Sequence, residues 1–312
     1  MKKSPNVIVA QGYIGPRTIS RLDDSFVKYL LSLSGHEDLL LSVVNSVMRN
    51  KKHQQFKSVA VKNPFNLKQQ QLEQETIMDI KAVTDSNETI LLEMQVKESN
   101  VFFDRVVDYV MRNAKITESV LLPRNKIKKK KLLQINSKQV ISINFLGFPL
   151  YKDLKIAHTT HMMHCCENLK ISSKKIILHM LDLTKGNETI EDAELKQWFN
   201  FFNNKNFDKE KEMIAQQSPI MRKAVEAYDT FVSNDDCMNY AEKHRLFKLY
   251  QQWDKDAATE KALEKGIEQG LEQGARDKAF ETAKLMKQSD MPLVDICKFT
   301  GLTEKEVRLI TN

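Results

Sequence analysis

Hydrophobic positions along this chain change period several times, and each change marks an element. In residues 20–33, Leu22, Phe26, Tyr29, Leu30 and Leu33 recur at helical spacing, and Gly35 closes the run. Residues 38–48 repeat that spacing through Leu40, Leu41, Val43, Val44 and Val47, which predicts a second helix. Residues 56–61 alternate instead and stop at Asn63-Pro64, as a strand does. Residues 75–97 hold two runs rich in Ile, Val, Leu and Thr around the polar Asp85-Ser86-Asn87-Glu88, the pattern of a β-hairpin. A helix is predicted after Asn100, through Phe103, Val106, Val107, Val110 and Met111. Residues 139–145 predict a central strand, stopped by Gly147 and Pro149. The order is helix, three strands, helix, strand.

Two further strands are predicted over residues 155–166 and 175–183. A helix follows over 187–202, with Leu195, Trp198, Phe199 and Phe202 on one side. Residues 213–286 are helix-compatible almost throughout. Gly266, Gly270 and Gly274 recur every four residues there, interleaved with Ile267 and Leu271. Each glycine weakens a helix by about 1 kcal/mol relative to alanine. Their stripe suits close packing on another helix, or a hinged linker. In the tail, Pro292 fits the first turn of a short helix to Phe299, and Thr300-Gly301 is a turn. Thr303 with Glu306 forms a capping box before Val307, Leu309 and Ile310. Two short helices across a tight turn resemble a helix-turn-helix, which serves DNA reading or a small docking or oligomerisation unit. These changes divide the chain into an irregular arm (1–19), an α/β domain (20–186), a helical region (187–289) and a helix-turn-helix-like tail (290–312).

Two acids interrupt the hairpin. Asp79 lies between Met78 and Ile80, and Glu93 between Leu92 and Met94. A carboxylate in an apolar strand needs a cation, a metal or a hydrogen-bond network. Strand alternation puts Glu93, Gln95 and Lys97 on one face and Leu92, Met94 and Val96 on the other. If the two strands are antiparallel neighbours, Asp79 sits beside Glu93, and the pair can hold a hard divalent cation. A rival constellation is His158, His161, His164, Cys165 and Cys166. On a helix, His158, His161 and Cys165 would share a face suited to zinc. On a strand, His161 faces away from His158 and His164, and Ile156 with Thr159-Thr160 favours the strand. Cys237 and Cys297 are isolated and read as core thiols. No glycine-rich phosphate loop or serine-nucleophile elbow is present.

Composition adds a charge bias. The 312 residues are 41% hydrophobic and 29% charged, with net charge +7. The sign favours polyanionic partners. Lys126, Lys128, Lys129, Lys130 and Lys131 follow Arg112, Lys115 and Arg124. Such residues make sequence-independent, salt-sensitive phosphate contacts when they meet DNA, and form a solvated loop when they do not. Four cysteines make no disulfide framework. No run of about 18 apolar residues predicts a membrane span. Lys2 and Lys3 precede no apolar run, so no secretory signal is expected and a soluble, cytoplasmic protein is.

Taken together, these residues resemble the PD-(D/E)XK nuclease superfamily, and more narrowly the bacterial recombination-promoting nuclease (Rpn) and putative transposase family. The resemblance runs from about residue 20 to the end. It is carried by Asp24 with Lys28-Tyr29-Leu30-Leu31, by Asn45, and by Asn63-Pro64-Phe65. Asp79-Ile80-Lys81-Ala82 and Glu93-Met94-Gln95 carry the site, and Arg105 and Tyr109 fit the helix after it. Leu183-Thr184-Lys185, Trp198, the glycine-spaced helix and Thr300-Gly301-Leu302 fit the rest. The resemblance implies an α/β fold: an αβββαβ core with a mixed sheet flanked by helices and a mostly helical C-terminal extension. It implies a Mg²⁺-dependent (or Mn²⁺-dependent) endonuclease of double-stranded DNA, transposase-like and promoting recombination. Asp79, Glu93 and the Met94 carbonyl would be the metal ligands. Gln95 stands where the superfamily has a lysine, a swap this family also shows. Lys97 would assist, or is an ordinary surface lysine. Asp24 would hold a metal-bound water, or is an acid favoured by the helix dipole. The basic linker departs from the family in lacking its glycine and tyrosine landmarks. The alternative is a DNA-binding or interaction protein with a degenerate nuclease fold. A third reading is that the C-terminal helices serve mainly for self-association, as a homo-oligomer.

Overall fold

The sheet is built outward from the hairpin. The computed structural model describes residues 18–67, 80–116 and 139–310. Strand β2 (Ile80–Thr84) turns through residues 85–88 into β3 (Thr89–Gln95), with Ile80 opposite Leu92 and Val83 opposite Thr89. Asn87 makes the turn possible by adopting φ +74°, a left-handed conformation asparagine tolerates. Strand β1 (Val59–Val61) adds antiparallel to β2. It is shorter than the alternation predicts, because the Asn45 side chain takes both backbone polar groups of Phe56. Its Nδ2 donates to the Phe56 carbonyl at 2.9 Å, and its Oδ1 accepts from the Phe56 N–H at 2.8 Å.

From β3 the chain crosses through helix α3 (Phe102–Ile116) to β4 (Val140–Leu146), which lies parallel to β3. A parallel neighbour needs such a crossover. All seven residues of β4 are buried, as expected of a parallel strand covered on both faces. Strands β5 (His158–His164) and β6 (Ile171–Asp182) complete a mixed six-stranded sheet in the order β1-β2-β3-β4-β6-β5.

Helices cover both faces. α3 lays Phe102, Val106 and Val110 on Leu91, Val140 and Leu178. The other face meets α1 (Asp24–Ser32), α2 (Glu37–Asn50), α4 (Ala193–Asn203), α5 (Phe207–Gln216) and α6 (Pro219–Ser233). There Phe26, Leu30, Trp198, Phe201 and Phe231 join Ile90, Leu92 and Ile143 in one core. Each such side chain contributes roughly 1.5–3 kcal/mol by leaving water. Helix starts follow their caps more closely than their periodicity. α1 begins at Asp24, not at Ser20, because Asp23 accepts from the Ser25 N–H at 2.9 Å. α4 begins after Asp192, which accepts from the Leu195 N–H. Ser218 and Pro219 restart the chain as α6, dividing the long helix-compatible stretch.

A hydrogen-bonded chain of histidines crosses this core. Asn50 Nδ2 donates to His158 Nδ1 at 2.8 Å, and His158 Nε2 meets His179 Nδ1 at 3.0 Å. The amide can only donate from Nδ2, so His158 carries its proton on Nε2 and His179 carries its own on Nε2. Both rings are buried and neutral. Burial pushes His158 down to about 2, helped by His179, then Lys51 and His53, and burial pushes His179 down to about 3, helped by His53, then Lys51 and His161. An unfolded histidine takes up its proton near pH ~6.5. These two lowered groups therefore stabilise the fold fully above that pH, and the contribution is lost as pH falls below it. Between about pH 7.5 and about pH 5 the protein is expected to lose at least about 2 kcal/mol of stability. Urea unfolding at the two pH values measures this, and a midpoint that does not move would contradict the assignment of neutral rings.

The described residues fall into two compact units, one ending at His244 and one beginning at Arg245. Helix α7 (Asp235–Gln288) contributes to both. In the second unit, α8 (Leu293–Thr300) and α9 (Glu304–Leu309) gather Ile296, Leu302 and Val307 around Ala283. Pro292 is the N-cap of α8, one position before the first helical turn. Gly301 at φ +71° ends α8, and the Thr303–Glu306 capping box opens α9. No described helix is long and apolar enough to cross a membrane.

Candidate active site

Alternation along β3 separates its residues between two environments. Ile90, Leu92 and Met94 enter the larger core, while Leu91 packs under α3. Glu93 and Gln95 share the parity of Leu91 and so lie on the α3 side. Both are half-buried, and the Glu93 side chain keeps 21% of its exposure. The Met94 side chain is buried, so only its backbone is available as a ligand.

A guanidinium joins the two polar residues. Arg105 Nη2 donates to Gln95 Oε1 at 2.7 Å and to Glu93 Oε1 at 3.2 Å. Arg105 is held above them because Phe102 and Val106, its neighbours on α3, are buried against the sheet. Its guanidinium carbon also lies 5.9 Å from the Phe102 ring centre. Gln95 Nε2 donates to the Lys97 carbonyl at 2.8 Å. An arginine only donates, so the oxygen of the Gln95 amide must face it, and the amide orientation is fixed at both ends.

The remaining sequence candidates lie as follows. Lys97 falls beyond the end of β3, and its side chain is exposed. Asp24 opens α1, whose apolar residues pack with Ile90, Leu92 and Met94, the residues that alternate with Glu93 and Gln95. Arg112 is exposed on α3. Asp79, Lys126, Lys128, Lys129, Lys130 and Lys131 lie outside the described residues. Among the described residues, no three His, Cys, Asp or Glu side chains gather as a metal cage. The rival histidines lie on strand β5 and diverge as alternation requires. His158 enters the core, while His161 meets the rings of Phe103 and Tyr151.

A family model described as PD-(D/E)XK nuclease family transposase matches residues 21–262, more than half of the chain. The chain belongs to that family. No curated protein and no solved structure matches it. The mixed sheet with flanking helices and a helical C-terminal region is the α/β fold of PD-(D/E)XK nucleases. In this member of the family, sequence periodicity singled out the acids of the hairpin but not Arg105 as the partner of Glu93. Arg105 reads locally as one polar residue of an amphipathic helix. Its sequence signals are its fit to the family resemblance, with Tyr109, and its position three residues after Phe102 on the helix that follows the Glu93-Met94-Gln95 segment.

Proposed function

We propose that the chain is a metal-dependent DNA endonuclease that hydrolyses phosphodiester bonds and promotes recombination in a transposase-like role. The observation that carries this is Glu93, a partly buried carboxylate on β3 that draws a cation to 3.2 Å. Family membership supports a phosphodiester substrate. Asp79 directly precedes Ile80, and Ile80 pairs with Leu92, directly before Glu93. On this reading Asp79, Glu93 and the Met94 carbonyl would hold Mg²⁺ or Mn²⁺. The set is all oxygen, which suits a hard cation that needs one or two carboxylates and takes its other ligands from water and phosphate. Such an ion supplies Lewis-acid polarisation of the phosphate and lowers the pKa of a bound water.

The protein's own groups would bind and orient the DNA. Arg112 and Lys126, Lys128, Lys129, Lys130 and Lys131 would neutralise backbone phosphates without reading sequence. Lys97 and Asp24 would act at the margin of the site, Lys97 on phosphate charge and Asp24 on an ordered water. A cytoplasmic setting accords with this role.

Supercoiled plasmid incubated with the full chain is expected to be nicked or linearised with Mg²⁺ or Mn²⁺ and left intact in EDTA. Intact plasmid under every metal, with DNA affinity retained, would favour the alternative, an inactive DNA-binding protein on the same fold. A self-association role also has support. In the second unit, Leu263, Ile267 and Leu271 are exposed on α7, beside the three spaced glycines. Sedimentation equilibrium of the full chain tests this role, and a monomer at all concentrations would dismiss it.

A further inference from the structure

We infer that Arg105 supplies the positive charge that the motif lacks at Gln95, and that Gln95 serves to position it; this rests on the nuclease reading of the site. A lysine in that place on the strand would carry its own charge to the phosphate. Glutamine carries none. Its carbonyl oxygen is committed to Arg105 at 2.7 Å and its nitrogen to the Lys97 carbonyl at 2.8 Å. Gln95 therefore has little left to offer a substrate, while Arg105 has much. Both of its hydrogen bonds run from Nη2, and among the described residues Nε and Nη1 make none. Its side chain is 51% exposed. The guanidinium thus commits one nitrogen to the two site residues and keeps Nε–H and Nη1–H open to solvent, separate donors that can each reach a phosphate oxygen. Helix α3 can deliver it because Phe102 and Val106 fix the helix on the sheet on either side of it. Charge and strand position, united in a lysine, are here divided between two elements.

This division has measurable consequences. Arg105→Gln is expected to slow metal-dependent plasmid cleavage by roughly a hundredfold, the size seen when one charge-stabilising donor is removed. In EDTA, binding of a fluorescein-labelled DNA duplex is expected to lose about one unit from its logarithmic salt slope. Mn²⁺ affinity by calorimetry without DNA should hold or rise, because the variant removes a cation that competes for Glu93. Gln95→Lys added to Arg105→Gln is expected to recover cleavage, since it restores charge at the strand. An unchanged salt slope with wild-type cleavage would overturn the inference and leave the nuclease reading standing. A fall in Mn²⁺ affinity in Arg105→Gln would overturn it differently, by showing that Arg105 only braces Glu93. If the wild-type chain cleaves nothing, the nuclease reading fails, and an unchanged salt slope would then remove the phosphate contact as well.

Discussion

In the Glu93→Ala protein, metal-dependent plasmid cleavage is expected to fall at least about a hundredfold while the fold survives. The activity loss follows from the proposed role of Glu93 as a metal ligand. A catalytic cation contributes several kcal/mol to the transition state, and about 1.4 kcal/mol is tenfold in rate. The stability term is small for a geometric reason. Glu93 pairs with a half-exposed guanidinium at 3.2 Å, and such pairs contribute about 1 kcal/mol or less. Removing the carboxylate leaves Arg105 facing solvent and not stranded in the core. Asp79→Ala should match the cleavage loss. Circular dichroism in urea, run beside the plasmid assay, separates the two quantities. Cleavage at the wild-type rate in both variants would remove these acids from the reaction.

Trp198→Ala is expected to have the reverse profile, a loss of about 3–5 kcal/mol of stability with no polar site group removed. Trp198 is fully buried and stacks on Phe202 at 5.7 Å with an interplanar angle of 24°. Its Nε1 donates to Ser42 Oγ at 2.8 Å, tying α4 to α2. Alanine would open a cavity between those helices and withdraw a donor from a buried hydroxyl. Trp198→Phe keeps most of the volume and loses only the hydrogen bond, so about 1 kcal/mol is expected. Urea titrations of the three proteins check the order, and a Trp198→Phe loss as large as that of Trp198→Ala would show that packing is not the dominant contribution.

The elements nearest the hairpin were legible because local rules govern them. Runs rich in Ile, Val, Leu and Thr identified the hairpin strands, the polar residues 85–88 their turn, and the stretch 139–145, ended by Gly147 and Pro149, a central strand. Boundaries moved where a side chain far along the chain intervened. Asn45 claims Phe56 and shortens β1, which no alternation around Phe56 could announce. The same holds for the core. Leu195, Trp198, Phe199 and Phe202 read as one side of a helix, but the packing of Phe199 and Phe202 on Phe145 depends on tertiary placement alone. The Glu93-Met94-Gln95 segment pointed to a site through residue type and parity. Arg105, ten residues after Gln95, joins it only because the crossover helix folds back over β3.

Gly147 carries the last consequence. Its N–H donates to the Gln95 carbonyl at 2.9 Å, and a Cβ there would come within 3.0 Å of the Val96 carbonyl oxygen. Val96 joins Gln95 to Lys97, whose carbonyl anchors the Gln95 amide. A single methyl group at this glycine would press on that backbone link and tilt the amide away from its guanidinium. The chemistry could thus be detuned from the neighbouring strand, by bulk alone, with every ionisable group left in place.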